Sequence, residues 1–185
     1  MHLTTLPAEA LAPIRARFLV ALRDREARMQ QAVATVTTRQ PAELLDDVHK
    51  IRGVAPMLGL DEGDVVLAEG PSYVGALGIF RHYQAHVEHV YTDQDGMSPE
   101  ALEEAIDRLK EQGRTIKFLY LVPNFANPSG VTLAKERRPR ILEICRKNHI
   151  LILEDNPYGL LYFDKPVPDA LRSMDEEGVI YLGSF

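Results

Sequence analysis

The sequence predicts an α/β fold, a mainly parallel sheet joined by crossover helices, with a helical segment ahead of it. Three observations point there. From Asp61 onward, short runs rich in β-branched residues recur along the chain. Amphipathic helical patterns separate them, which is the alternation that builds parallel sheets. Several runs also end in turn-rich, polar segments, as strands do where an open parallel sheet meets its ligands.

Taken in order, the first part reads as two helices. After Pro13, the residues Ile14, Phe18, Leu22, Met29, Val33 and Val36 fall at mostly three- and four-residue spacings among charged and amide side chains. That helix ends near Thr38. Pro41 opens a second, reaching about Leu58, with Leu44, Leu45, Val48 and Ile51 on its apolar side. Strands are then expected at Val65 to Glu69, Val87 to Tyr91, Ile116 to Val122, Ile150 to Leu153 and Val179 to Leu182. Helices fill the gaps near Val74 to Gln84, Pro99 to Gln112 and Lys135 to Asn148. Ser98-Pro99-Glu100 opens the second of these with an N-cap and a first-turn proline, and Gly113 closes it. Pro139 sits awkwardly in the third, because an interior proline removes a backbone bond. Tyr162 to Glu177, with Pro166, Pro168 and several acids, reads as a surface connection.

Composition narrows the function classes. With 27 acidic and 21 basic side chains the net charge is -6, which argues against a phosphate-neutralising nucleic-acid surface. No stretch of eighteen apolar residues is present and the N-terminus lacks the order of a secretory signal, so no membrane partner and a cytoplasmic location are expected. Cys145 is the single cysteine, inside an amphipathic helical stretch, and reads as a small buried hydrophobe.

The chemistry lies at strand ends. The first strand runs into Gly70-Pro71-Ser72-Tyr73, the third into Pro123-Asn124-Phe125-Ala126-Asn127-Pro128-Ser129-Gly130, and the fourth into Glu154-Asp155-Asn156-Pro157-Tyr158. The last finishes as Tyr181-Leu182-Gly183-Ser184-Phe185. An aromatic ring, an amide, a carboxylate and a phenol in one pocket suit a flat, hydrogen-bonding ligand. Read singly, the Asn-Pro-Ser-Gly and Asn-Pro-Tyr-Gly segments are turns by composition.

In order and spacing, these segments resemble the fold-type-I, pyridoxal-phosphate (PLP) dependent aminotransferases of class I/II, from about residue 60 to residue 185. The resemblance implies that Tyr73 stacks on the pyridine ring and that Asn127, in the Asn-Pro-Thr-Gly position, hydrogen-bonds the cofactor's phenolic oxygen. It implies that Asp155 pairs with the pyridine nitrogen, that Tyr158 shares the phenolic oxygen, and that Ser184 binds the phosphate. Ala126 stands where the family usually has Gln, and Ser129 where it has Thr. The family's strand arrangement implies five strands in order 2-1-3-4-5, a three-layer, flavodoxin-like sheet with helices on both faces. It also implies an amino-acid substrate and a homodimer.

The family's Schiff-base lysine would follow Ser184-Phe185, and its Gly-Ser-Gln type phosphate-binding turn, expected before Asp61, and its substrate-carboxylate arginine find no match here. The expectation is therefore a catalytically incomplete fragment. Lys117 and Lys135 read as a strand-edge and a helix-surface charge.

Residues about 10 to 60 carry a second resemblance. His49-Lys50-Ile51-Arg52-Gly53, followed by Gly59, looks like the phosphorylatable stretch of histidine phosphotransfer (HPt) domains, with Arg52 in the lysine position. It implies His49 as a phosphoryl acceptor and a response-regulator receiver as partner. Two resemblances meeting near Leu58 to Asp61 imply a chimera, with a helical module over 1–60 and a partial aminotransferase domain over 61–185. The alternatives are a phosphorelay protein and an engineered or recombined scaffold without activity. His82, His86 and His89 cluster in sequence but lack an acidic or cysteine partner at fixed spacing, so no metal site is expected and they read as surface residues.

Overall fold

The computed structural model describes Ile51, Gly53, Gly59, Leu60 and residues 62–161 and 166–183. They belong to one compact unit, built from 45–162 and 166–185. The first expected helix and His49 lie outside the described residues.

The elements run β1 (Val65–Gly70), α1 (Val74–His82), β2 (His86–Asp93), β3 (Gly96–Met97), α2 (Pro99–Glu111), β4 (Ile116–Leu121), α3 (Arg137–Lys147), β5 (Leu151–Asn156), a 3₁₀ turn (Leu171–Ser173) and β6 (Val179–Gly183). They form one sheet in the order β3-β2-β1-β4-β5-β6. All five expected strands are present and parallel, in the expected 2-1-3-4-5 order. The expected five-stranded sheet is corrected to six by β3, which pairs antiparallel with β2 through Thr92↔Met97 and Asp93↔Gly96.

A two-residue strand shows no alternation, so only its turn could have announced it. Asp93 accepts from the Asp95 backbone N–H (2.8 Å), and Gly96 adopts φ +89°, a conformation that disfavours a side chain. Leu133 backbone and side chain would lie 2.9 Å from any Cβ at position 96, so the site is closed to other residues twice over. Arg137 clamps this hairpin from α3, donating to both Asp93 carboxylate oxygens (2.7 and 2.8 Å) and to the Gly96 carbonyl (2.7 Å).

The central strands β1, β4 and β5 are covered on both faces, which is why they read as near-continuous apolar runs. On one face Val65, Leu67, Leu119, Leu121 and Ile152 pack against Leu102, Ile106 and Leu109 of α2 and Ile141, Leu142 and Cys145 of α3. On the other, Val66, Ala68, Phe118, Tyr120 and Leu153 pack against Ala76, Leu77, Ile79 and Phe80 of α1, with Ile51 and Leu60. Helix, sheet and helix make three layers.

Local chemistry explains the helix ends. Ser98 caps α2, accepting from the Ala101 N–H (3.2 Å), Pro99 occupies its first turn, and Gly113 follows its C-cap at φ +67°. Pro139 is the third residue of α3, inside the first turn, where the N–H it lacks would have had no partner in the helix. Lys117 is not at a sheet edge, because β4 lies between β1 and β5; it is half-buried near the start of β4 and pairs with Asp64 (3.3 Å). Cys145 is buried as expected, and burial pushes its thiol up to about 12.

Candidate active site at the strand tips

Because β1, β4 and β5 are parallel neighbours, their C-terminal ends lie side by side. At a spacing of about 4.8 Å per strand, three tips span about 10 Å, the breadth of a substituted heteroaromatic ring. Each tip delivers one expected residue or more. β1 leads through Gly70-Pro71-Ser72 to Tyr73, β4 leads into the loop that carries Asn127, and β5 contains Asp155 and is followed by Tyr158.

Strand alternation decides which face these side chains use. Tyr120, Leu153 and Val122 belong to the α1-side core, so Asp155, two residues beyond Leu153, projects to that same side. Tyr73 is buried there with Tyr120 and Ala126, the residue before Asn127. Its ring lies over Gly75, close enough that a Cβ at 75 would stand 2.6 Å from ring carbon. Asn127 and Tyr158 are half-buried at the rim of the same end. Ser184 lies outside the described residues.

The contact that organises this side is one the motif reading missed. The Tyr120 hydroxyl donates to Asp155 Oδ2 at 2.6 Å, a short bond to a carboxylate. Phe80 holds the Tyr120 ring edge-on, with centroids 5.4 Å apart. Burial, then the adjacent Asp155 charge, drives the Tyr120 phenol well above its usual range, so it stays a proton donor. Tyr120 hid inside an apolar strand, where a tyrosine reads as packing. Its one signal was parity, since 120 shares a strand face with 118 and 122.

On the opposite face of the same tips lies a buried polar network. Glu69 accepts from the Val122 N–H (2.9 Å), tying β1 to β4. Asn124 donates to Asn156 (3.0 Å), which donates to Glu154 (3.3 Å), and Glu154 accepts from the Leu171 and Arg172 N–H groups (3.2 and 2.9 Å). Fully buried Arg138 donates to the carbonyls of Leu133, Pro123 and Asp169 and to Asn124 Oδ1 (2.8 Å). Buried polar groups hold a fold in register when each is partnered, and these join the loop that carries Asn127 to the strand that carries Asp155. Desolvation lifts Glu69 from 4.5 to about 8, and it also raises Glu154 against the pull of its N–H donors and Arg138. Arg138 sits in Arg137-Arg138-Pro139-Arg140, a run that reads as solvated charge, so the sequence offered no sign of its burial.

Two of the clustered histidines have near neighbours. His89 Nδ1 meets the Glu69 carbonyl at 3.0 Å and His86 approaches Glu88 at 3.4 Å. Among the described residues no group of His, Cys, Asp or Glu could hold a metal ion, and no helix is long and apolar enough to cross a membrane.

Residues 20–185 match the family model for aminotransferase class I and II. The chain belongs to the class I and II aminotransferase family. An aromatic-amino-acid aminotransferase of Thermococcus litoralis is 33% identical over 178 residues, covering 96% of this chain and 41% of that protein. A Pyrococcus horikoshii kynurenine aminotransferase, solved with PMP, superposes with a TM-score of 0.71 at 35% identity, over 75% of this chain and 34% of that one. An α-aminoadipate aminotransferase of Thermus thermophilus, solved with N-(5'-phosphopyridoxyl)-L-leucine, gives 0.68 at 35% identity, over 75% and 35%. This aminotransferase chain spans less than half the length of the curated relatives it matches. The family match runs across residues 58–61, where two resemblances suggested a junction, and takes in the segment around His49.

Proposed function

We propose that this chain is the ring-holding part of a PLP-dependent aminotransferase that acts on an amino acid. The observation that carries the reading is the Asp155 carboxylate, fixed by Tyr120 on the same face as the Tyr73 ring, at the tip of a strand neighbouring the Asn127 loop.

The donor set fits the cofactor. Tyr73 would stack on the ring, Asp155 would hold a proton on the ring nitrogen, and Asn127 and Tyr158 would hydrogen-bond its phenolic oxygen. Ser184 would take the phosphate. Bound PLP supplies an electron sink for charge developing at a substrate carbon, and a carboxylate beside the ring nitrogen keeps that sink protonated. What these side chains do is positional: they stack, orient and hold a proton at a named atom. The binding of a phosphopyridoxyl compound by the Thermus relative supports the same assignment.

Titrating the chain with PLP, followed by the cofactor's absorbance and induced circular dichroism, tests it. Saturable binding that weakens in Asp155→Asn and Tyr73→Ala is expected. No saturable signal, or binding indifferent to both substitutions, would overturn it. Borohydride reduction of the mixture followed by peptide mapping shows in addition whether any lysine of the chain is labelled.

A further inference from the structure

We propose that Tyr120 is a positioning residue for the cofactor ring: its hydroxyl anchors the Asp155 carboxylate at Oδ2 and so fixes the group that pairs with the ring nitrogen. The inference rests on the PLP reading and deepens it.

Three features of the structure make Tyr120 more than core filling. Its ring is fully buried and held edge-on by Phe80, so the hydroxyl has a defined location. That hydroxyl spans from β4 to β5 and meets the carboxylate at 2.6 Å. Asp155 is itself only half-buried, so packing alone does not fix its side-chain torsions as it fixes those of Tyr120. An aspartate on a strand has two torsions to settle, and a buried donor at one oxygen restrains both. The charged or titratable groups that act on Tyr120 besides Asp155 are Glu69 and Tyr73.

The effect of losing the hydroxyl has two opposed parts. Removing a donor makes the carboxylate more basic, which favours the ring proton; releasing the carboxylate lets it turn toward water, which disfavours it. Alignment wins if the carboxylate must point at the ring nitrogen to act on it at all, because a misdirected group in contact with water contributes little.

The test uses PLP labelled with nitrogen-15 in the ring, bound to the 185-residue chain and titrated by NMR. In the parent chain the ring nitrogen should stay protonated to higher pH than in free PLP, with Asp155→Asn abolishing the difference. Tyr120→Phe should still bind PLP but lower the protonation midpoint by about one pH unit. Replacing Tyr120 with 3-fluorotyrosine, which keeps the donor, should restore the parent midpoint. Repeating the titration with Glu69→Gln separates any contribution of that carboxyl. A parent-like midpoint in Tyr120→Phe, with Asp155→Asn lowered, overturns the role of Tyr120 and leaves the PLP reading intact. A lowered melting temperature with an unmoved midpoint would assign Tyr120 to packing alone. A parent chain whose bound ring titrates like free PLP overturns the PLP reading and this inference together.

Discussion

Replacing Glu69 with glutamine should make the chain more stable, and by more the higher the pH. Glu69 is 2% exposed, its carboxyl is lifted from 4.5 to about 8 by burial, and the Val122 N–H offsets only part of that cost. A carboxyl whose folded-state pKa lies above its unfolded one contributes no penalty below the unfolded value. Between 4.5 and 8 the unfolded chain ionises while the folded one holds its proton, so stability falls as pH rises. Above 8 the penalty is complete. At about 1.36 kcal/mol per pH unit, the span is on the order of 5 kcal/mol, comparable with the net stability of a small domain. Glutamine keeps an oxygen for the Val122 N–H and removes the ionisation. Urea unfolding of both proteins at pH 5, 7 and 9 should show nearly equal stabilities at pH 5 and a gap of several kcal/mol at pH 9. Parallel pH profiles, with the same gap throughout, would refute the claim that the folded interior holds this proton.

Other outcomes follow from named contacts. Arg138→Met should cost about 3–5 kcal/mol in urea unfolding, because the Leu133 carbonyl and the Asn124 oxygen lose their buried donor. Arg138→Lys should recover little of it, since an ammonium cannot span the same acceptors. Gly96→Ala should lower the melting temperature more than Gly130→Ala: both residues have positive φ, but only position 96 also meets the Leu133 backbone. Ser98→Ala should cost about 1 kcal/mol, read from denaturant midpoints, by leaving the Ala101 N–H without its cap. Arg137→Ala should speed amide exchange at Gly96 and Met97 while leaving β1 and β4 protected, because Arg137 clamps only the hairpin.

Much of the architecture was legible because central parallel strands announce themselves. Val65-Val66-Leu67-Ala68 and Phe118-Leu119-Tyr120-Leu121 are buried on both sides and have no polar alternation to confuse them. Ser98-Pro99 marked a helix start through a capping oxygen and a fixed φ, both local effects. β3 escaped notice because it is made by Gly96's backbone freedom and by Arg137, forty-one residues on. Within the site, Tyr73 and Asp155 were singled out through turns and motif order; strand parity gives the face of Asp155, and packing with Tyr120 gives that of Tyr73. Tyr120, Glu69 and Arg138 were missed for one reason. Each looks ordinary in its own neighbourhood, and only the stacking of β1, β4, β5 and α3 turns them into partners of residues thirty or more positions away, or of loops they never touch in sequence.

The closeness of the Tyr73 ring to Gly75 separates two design problems that usually come tied together. The methyl of an alanine at 75 would meet the Tyr73 ring rather than backbone, so it would displace that ring, while Asp155 keeps the Tyr120 hydroxyl that holds it. On the proposed stacking role, side-chain size at one helical position would then grade the share of ligand affinity owed to the flat face, with the tyrosine itself retained.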